Sequence, residues 1–125
     1  MKKNTILIAE DDDVSFIYFS ESLSLNGIKV LRAHNGKDAL DQIKDHPEIK
    51  LVLMDIKMPV MNGLEAIREI KKIRSDLPVI VESAYAMSED KEEALEAGCD
   101  GYLSKPIRQD ELYAVIRKYF DVMEG

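Results

Sequence analysis

Apolar residues along the chain follow two periods, and the two take turns. Residues 5–9 (Thr5-Ile6-Leu7-Ile8-Ala9) form a short, nearly continuous apolar run with β-branched members, the pattern of a central parallel strand covered on both faces. Residues 14–25 contain no Pro or Gly and stop at Asn26-Gly27, a helix terminus signal. Within them Phe16, Phe19 and Leu23 make one stripe, while Val14, Ile17 and Tyr18 spill beyond it, so this helix is expected to be covered on two sides. A second, shorter strand over 28–33 and a turn at Asn35-Gly36 lead into a helix over 37–45, with Ala39, Leu40 and Ile43 at helical spacing and Pro47 just beyond. A third strand, Leu51-Val52-Leu53-Met54-Asp55, is closed by a turn containing Pro59 and Asn62-Gly63, and Leu64, Ile67, Ile70 and Ile73 then line one side of a helix.

Pro78-Val79-Ile80-Val81 opens a fourth strand with its proline at the first position, where a missing donor is tolerated, and the run ends in Glu82-Ser83. The helix predicted over 88–97 offers only Ala94, Leu95 and Ala97 for burial and is expected to be the least firmly held. Tyr102-Leu103-Ser104 makes a fifth strand closed by Lys105-Pro106, and Leu112, Val115, Ile116, Tyr119 and Phe120 give the last helix a strong amphipathic stripe. Five strand-helix alternations are most simply satisfied by a doubly wound α/β fold, a five-stranded parallel sheet with helices on both faces and right-handed crossovers. The 125 residues fit one domain, with a core expected over about 4–121.

Charge narrows the partners. A formal net charge of −7 argues against a nucleic-acid surface, because a phosphate backbone favours clustered Lys and Arg. No apolar run approaches bilayer length, and the first residues lack the apolar stretch and small-residue cleavage site of a signal peptide. The expected setting is cytoplasmic, either as a free chain or as a cytoplasmic domain. Cys99, the single cysteine, excludes an internal disulfide and is expected to be a small buried residue; His34 and His46 are expected in exposed loops, without chemistry.

The candidate chemistry lies where strands end. Strands one, three, four and five run into Glu10-Asp11, Asp55, Ser83 and Lys105, and in a parallel sheet all four ends share the edge at which ligands bind. Three carboxylates around one point stay ionised only with positive charge among them, and an all-oxygen set suits a hard cation such as Mg²⁺, with Mn²⁺ the alternative ion. A hydroxyl and an ammonium beside them complete a site for a tetrahedral anion, so the chemistry implied is phosphoryl transfer onto a carboxylate.

Taken in order, Glu10-Asp11, Asp55 with Met58-Pro59 and Asn62-Gly63, Ser83-Ala84, and Tyr102 with Lys105-Pro106 resemble the response-regulator receiver domains of two-component signalling, the chemotaxis-regulator-like superfamily. The resemblance covers essentially the whole chain. It implies a flavodoxin-like fold with strand order 2-1-3-4-5 and five helices. It implies that Asp55 is the phosphoacceptor, taking a phosphoryl group from a phosphohistidine on a histidine kinase or histidine phosphotransfer protein. Asp11 would bind Mg²⁺ directly, Glu10 through water, and the Lys57 backbone carbonyl would complete the protein ligands. Lys105 would bind a phosphoryl oxygen, a cis peptide would precede Pro106, and Ser83 and Tyr102 would be the switch hydroxyl and switch aromatic that reshape the surface of the fourth helix, fifth strand and fifth helix for a downstream effector.

Three positions depart from the family pattern. Ser83 stands for the commoner Thr and Glu10 for the commoner Asp, both with their chemistry retained. Glu82 stands where an apolar or neutral residue is usual; by strand alternation it points away from the Ser83 face and is expected to reach solvent or a cation rather than the metal. Lys57 and Tyr85, two residues beyond the acceptor and the switch hydroxyl, would crowd an attacking water and imply slow self-dephosphorylation. Rival chemistries fail on particular residues: aspartyl-phosphate phosphatases need a carboxylate where Lys57 stands, and flavodoxins need a phosphate-cradling loop where this chain has acids. The remaining alternative is a receiver-like module that binds its partner without phosphorylation.

Overall fold

A computed structural model describes residues 4–58, 60–83 and 88–119. Strand and helix alternate throughout: β1 (Thr5–Ala9), α1 (Asp13–Ser24), β2 (Lys29–Ala33), α2 (Gly36–Asp45), β3 (Ile49–Asp55), α3 (Gly63–Ile73), β4 (Val79–Ser83), α4 (Ser88–Ala97), β5 (Gly101–Ser104) and α5 (Gln109–Arg117). All strands are parallel, in the order β2-β1-β3-β4-β5. The doubly wound fold expected from the pattern, and the order implied by the resemblance, are both present.

Strand alternation divides the interior into two layers. Leu7, Val52, Met54, Val79 and Val81 face α2, α3 and α4, meeting Leu40, Ile43, Ile67, Ile70 and Ala94. Ile6, Ile8, Leu51, Leu53 and Ile80 face α1 and α5, meeting Phe19, Leu23, Leu112 and Ile116. Side chains two apart share a face, so the same parity extends into the charged strand ends and decides which of them can meet.

Helix starts hold the edge loops. The Asp12 carboxylate accepts the Ser15 N–H at 2.9 Å, Asn35 the Asp38 N–H at 2.8 Å and Asn62 the Glu65 N–H at 3.0 Å, each satisfying a donor left open by the first helical turn. Asp12 and Asp13 thus serve helix α1, as their positions imply. Gly63 packs its backbone against the end of β3: a Cβ there would lie 2.8 Å from the Ile56 Cα and closer still to the Asp55 carbonyl oxygen. Any larger residue would push the α3 start away from the acceptor strand. The Lys105–Pro106 peptide is cis.

Two expectations are corrected. Helix α1 is not covered on two sides: Val14 is 76% and Ile17 52% exposed, because α5 crosses only the Phe19 and Leu23 side. Tyr119, placed in the α5 stripe, is exposed because the helix ends at Arg117. Phe120, Pro59, Ala84 and Tyr85 lie outside the described residues. Cys99 is buried, His34 is exposed beside Asp38, and His46 is half-buried beside Glu48.

Candidate functional site

Four strand ends converge at the C-terminal edge. Glu10 follows Ile8, Asp55 follows Leu53, Glu82 follows Ile80 and Lys105 follows Leu103, each two residues beyond a side chain of the α1/α5 layer. They form a row across β1, β3, β4 and β5. Glu10 and Glu82 are fully buried and Asp55 nearly so, while Asp11 is exposed at the rim. Carboxylate oxygens of Glu10, Asp11 and Asp55 lie within 4.8 Å of one another.

The cation of the site arrives from the far end of the chain. Lys105 Nζ donates to Glu10 Oε1 at 2.9 Å and stands 3.4 Å from Glu82 Oε1. Its backbone N–H donates to the Ser83 carbonyl at 2.7 Å, which fixes the turn from β5 against β4. The Lys57 N–H donates to Asp55 Oδ1 at 3.2 Å, and the Asp12 N–H to Glu10 Oε2 at 3.1 Å. Ser83 is buried, and Tyr102 packs partly buried against the α2/α3/α4 layer.

Proton affinities follow from this crowding. Burial and the neighbouring Glu10 charge push Asp55 up to about 7, an effect only partly offset by Lys105. Burial would raise Glu10 too, but the adjacent Glu82 carboxyl, the Lys105 ammonium and the Asp12 N–H outweigh it and hold that carboxyl below its usual range. Burial, then Glu10, hold Glu82 well above the carboxylate range. Lys105 is raised, because Glu10, Glu82 and Asp55 together outweigh its own burial.

These residues fit a divalent cation. Among the described residues the Lys105 ammonium stands against three carboxyl groups, Glu10, Glu82 and Asp55, and Asp55 retains a proton near neutrality for want of further positive charge. An ion among the Glu10, Asp11 and Asp55 oxygens would let Asp55 ionise beside Glu10, and an oxygen-only donor set suits Mg²⁺.

One residue of this neighbourhood was only half placed by the sequence reading and another escaped it. Glu82 does not reach solvent; it lies buried beside Lys105, the cation side of its expectation, and opposite Asp55 in the β3–β4 register. The signal was available: Asp55 and Glu82 each follow an α1/α5-facing residue by two. Arg32 had no signal at all. From β2 its Nε donates to the Glu10 carbonyl at 3.1 Å and its Nη2 to Asp13 at 2.8 Å, with the guanidinium stacked 4.4 Å over Phe16. It ties the acidic loop to the sheet, a role created by the Ile8–Arg32 register.

Residues 6–117 match the family model described as the response regulator receiver domain. The chain is 34% identical over 119 residues to the polar-differentiation response regulator DivK of Brucella anthropi, covering 92% of this chain and 94% of that protein. It is 39% identical over 116 residues to the regulatory protein AtoC of Escherichia coli, covering 92% of this chain but 25% of that longer protein. Among solved structures it resembles a CheY-like response regulator receiver domain protein of Methanospirillum hungatei (TM-score 0.88, 30% identity, 95% and 94% of the two chains). It also resembles the receiver domain of the sensor histidine kinase PA1611 of Pseudomonas aeruginosa (TM-score 0.86, 29% identity, 94% and 97%), a structure with magnesium coordinated in its active-site cleft.

Proposed function

Because the chain belongs to the response regulator receiver domain family of two-component systems, we propose that it is a single receiver domain, residues 1–125, that accepts a phosphoryl group on Asp55. The observation that carries this reading is the convergence of Asp55, Glu10 and Asp11 within 4.8 Å, with the Lys105 ammonium 2.9 Å from Glu10. An Asp55 oxygen forms the new P–O bond while the P–N bond to the partner's imidazole breaks. The electron pair stays on the imidazole nitrogen, which takes up a proton.

Glu10, Asp11 and Asp55, with the Lys57 carbonyl, would hold Mg²⁺, or Mn²⁺ in its place. Bound there, the ion supplies positive charge against the phosphoryl oxygens. Lys105 leaves Glu10 to pair with one of those oxygens, and the Ser83 hydroxyl binds another. Tyr102 then turns toward the space Ser83 vacates, changing the α4, β5 and α5 surface that a downstream effector reads. Lys57 and Tyr85 keep water from the acyl phosphate, so its hydrolysis is slow.

The donor is a histidine kinase or histidine phosphotransfer protein. A groove of about 670 Å³ between α1 and the segment after β5 is lined by Val14, Tyr18, Ile107 and Arg108 and includes Lys105. The Tyr18 hydroxyl donates to the Ile107 carbonyl at 2.7 Å across it. An exposed apolar groove adjoining the reactive edge suits the apolar face of a helix that carries the phosphohistidine. No described helix is long and apolar enough to cross a membrane, and the reading places the domain in the cytoplasm, where such kinases act.

The test is intact mass after incubation with Mg²⁺ and a small-molecule phosphodonor, a readout suited to a chain without Trp. One phosphoryl adduct is expected, absent from Asp55→Asn and from a chelator control. No adduct from the small donor, and none from a phosphohistidine protein, would instead establish a module that binds without phosphorylation.

A further inference from the structure

Glu82 is a fully buried carboxyl within the reactive row, and neither of its oxygens accepts a hydrogen bond from any described residue. Its nearest cation is Lys105, 3.4 Å from Oε1, while the same ammonium donates to Glu10 at 2.9 Å. The β3–β4 register sets Glu82 directly beside Asp55, and Ser83–Ser104 pairing brings the Lys105 turn over it. The ammonium therefore rests between two carboxyl groups from β1 and β4. Its ion-pair partners among the described residues do not include Asp55, the group whose phosphoryl load it would have to bind.

We infer that Glu82 is a positioning residue: with Glu10 it holds the Lys105 ammonium in a resting place, so that a phosphoryl group on Asp55 must draw Lys105 away from two carboxyl groups rather than one. The inference rests on the phosphoacceptor reading and adds to it a restraint on the loaded state. An apolar side chain at this place would leave Lys105 held by Glu10 alone. Burial of a carboxyl with open acceptor positions also costs stability, which is the reverse of what a residue kept for packing would do. Glu82 thus weakens the fold and, through Lys105, the affinity for the phosphoryl group.

The full chain is titrated with beryllofluoride, a tetrahedral phosphoryl mimic that adds to a carboxylate oxygen, in excess Mg²⁺ and followed by ¹⁹F NMR. Wild type, Glu82→Leu and Glu82→Gln are compared, each also in a Lys105→Ala background titrated to higher concentration. With Lys105 present, Glu82→Leu binds about fivefold more tightly, the scale of one net hydrogen bond, and Glu82→Gln falls between it and wild type. With Lys105→Ala the gain disappears, a coupling that a merely structural role would not produce. Unchanged or weaker binding by both Glu82 variants overturns the inference. An equal gain in both backgrounds also overturns it, since Glu82 would then act on the anion directly. Wild type that binds no beryllofluoride removes the phosphoacceptor reading itself, and this inference with it.

Discussion

The middle of the sheet and its C-terminal edge are built from the same strands, and Glu10 and Glu82 at the edge are as closed to water as the aliphatic side chains, yet the two regions act on the fold in opposite senses. In β1, Ile6, Leu7 and Ile8 are inaccessible, and so is Glu10 two residues further on. Burying each aliphatic side chain stabilises the chain by about 1.5–3 kcal/mol. Burying carboxyl groups side by side does the reverse, and the proton that Asp55 retains up to about pH 7 measures that conflict. An edge of this kind persists because two apolar layers hold the strands in place.

The largest effect tests the stabilising half. Leu53, fully buried two residues before Asp55, packs in the α1/α5 layer. Leu53→Ala is expected to lower unfolding free energy in urea by about 3 kcal/mol, from lost transfer energy and the cavity left behind. A loss below about 1 kcal/mol would mean that the mid-sheet layer is not what holds the edge.

Next comes the destabilising half. Asp55→Asn, measured with a chelator at pH 8, is expected to raise stability by about 2 kcal/mol, because it removes a charge from a buried cluster. The pH dependence has a definite sign. Asp55 is held at about 7 in the folded chain against an ordinary 3.8, so between these values the folded state binds more protons than the unfolded one. Its contribution to stability is full at low pH and falls as pH rises through about 7. The advantage of Asn over Asp should therefore change little between pH 8 and pH 7 and shrink from there to pH 5 in paired denaturation curves. An advantage that is constant across this range would assign the gain to packing rather than to charge.

The smallest effect sharpens the comparison in the loop between the two halves. Val60, exposed in the turn after β3, has φ of 68°, a left-handed conformation that a β-branched residue adopts at a cost. Val60→Gly should relieve that cost, offset in part by the greater freedom of glycine when unfolded, for a net gain of about 0.5–1 kcal/mol. Thermal melts would show it, and a loss of stability would mean that the Val60 side chain is held by contacts that outweigh its backbone.

Much of this architecture is legible locally. Apolar runs of strand length and amphipathic stripes are properties of neighbouring residues, and every element they imply is present, with ends shifted by at most a few residues. The residues of the candidate site were legible for a related reason: acids, a hydroxyl and a lysine stood at the ends of strands, and parallel strands bring such ends to one edge. The coverage of α1 was not legible. Whether Val14 and Ile17 are covered depends on how far α5 reaches across the sheet, and nothing within residues 14–25 records that.

What the chain determined by itself is the alternation of elements, the face each side chain takes relative to its own strand, and the stock of carboxylates delivered to the strand ends. Which of those groups touch was decided only in three dimensions. Lys105 meets Glu10 across 95 residues, Glu82 lies beside Asp55, and Arg32 braces the acidic loop because β2 pairs with β1 in one register. Period-two patterning orients a side chain within its strand but carries no information about its neighbour across the sheet. That neighbour is set by strand order and register, which the packing of the two layers selects as a whole.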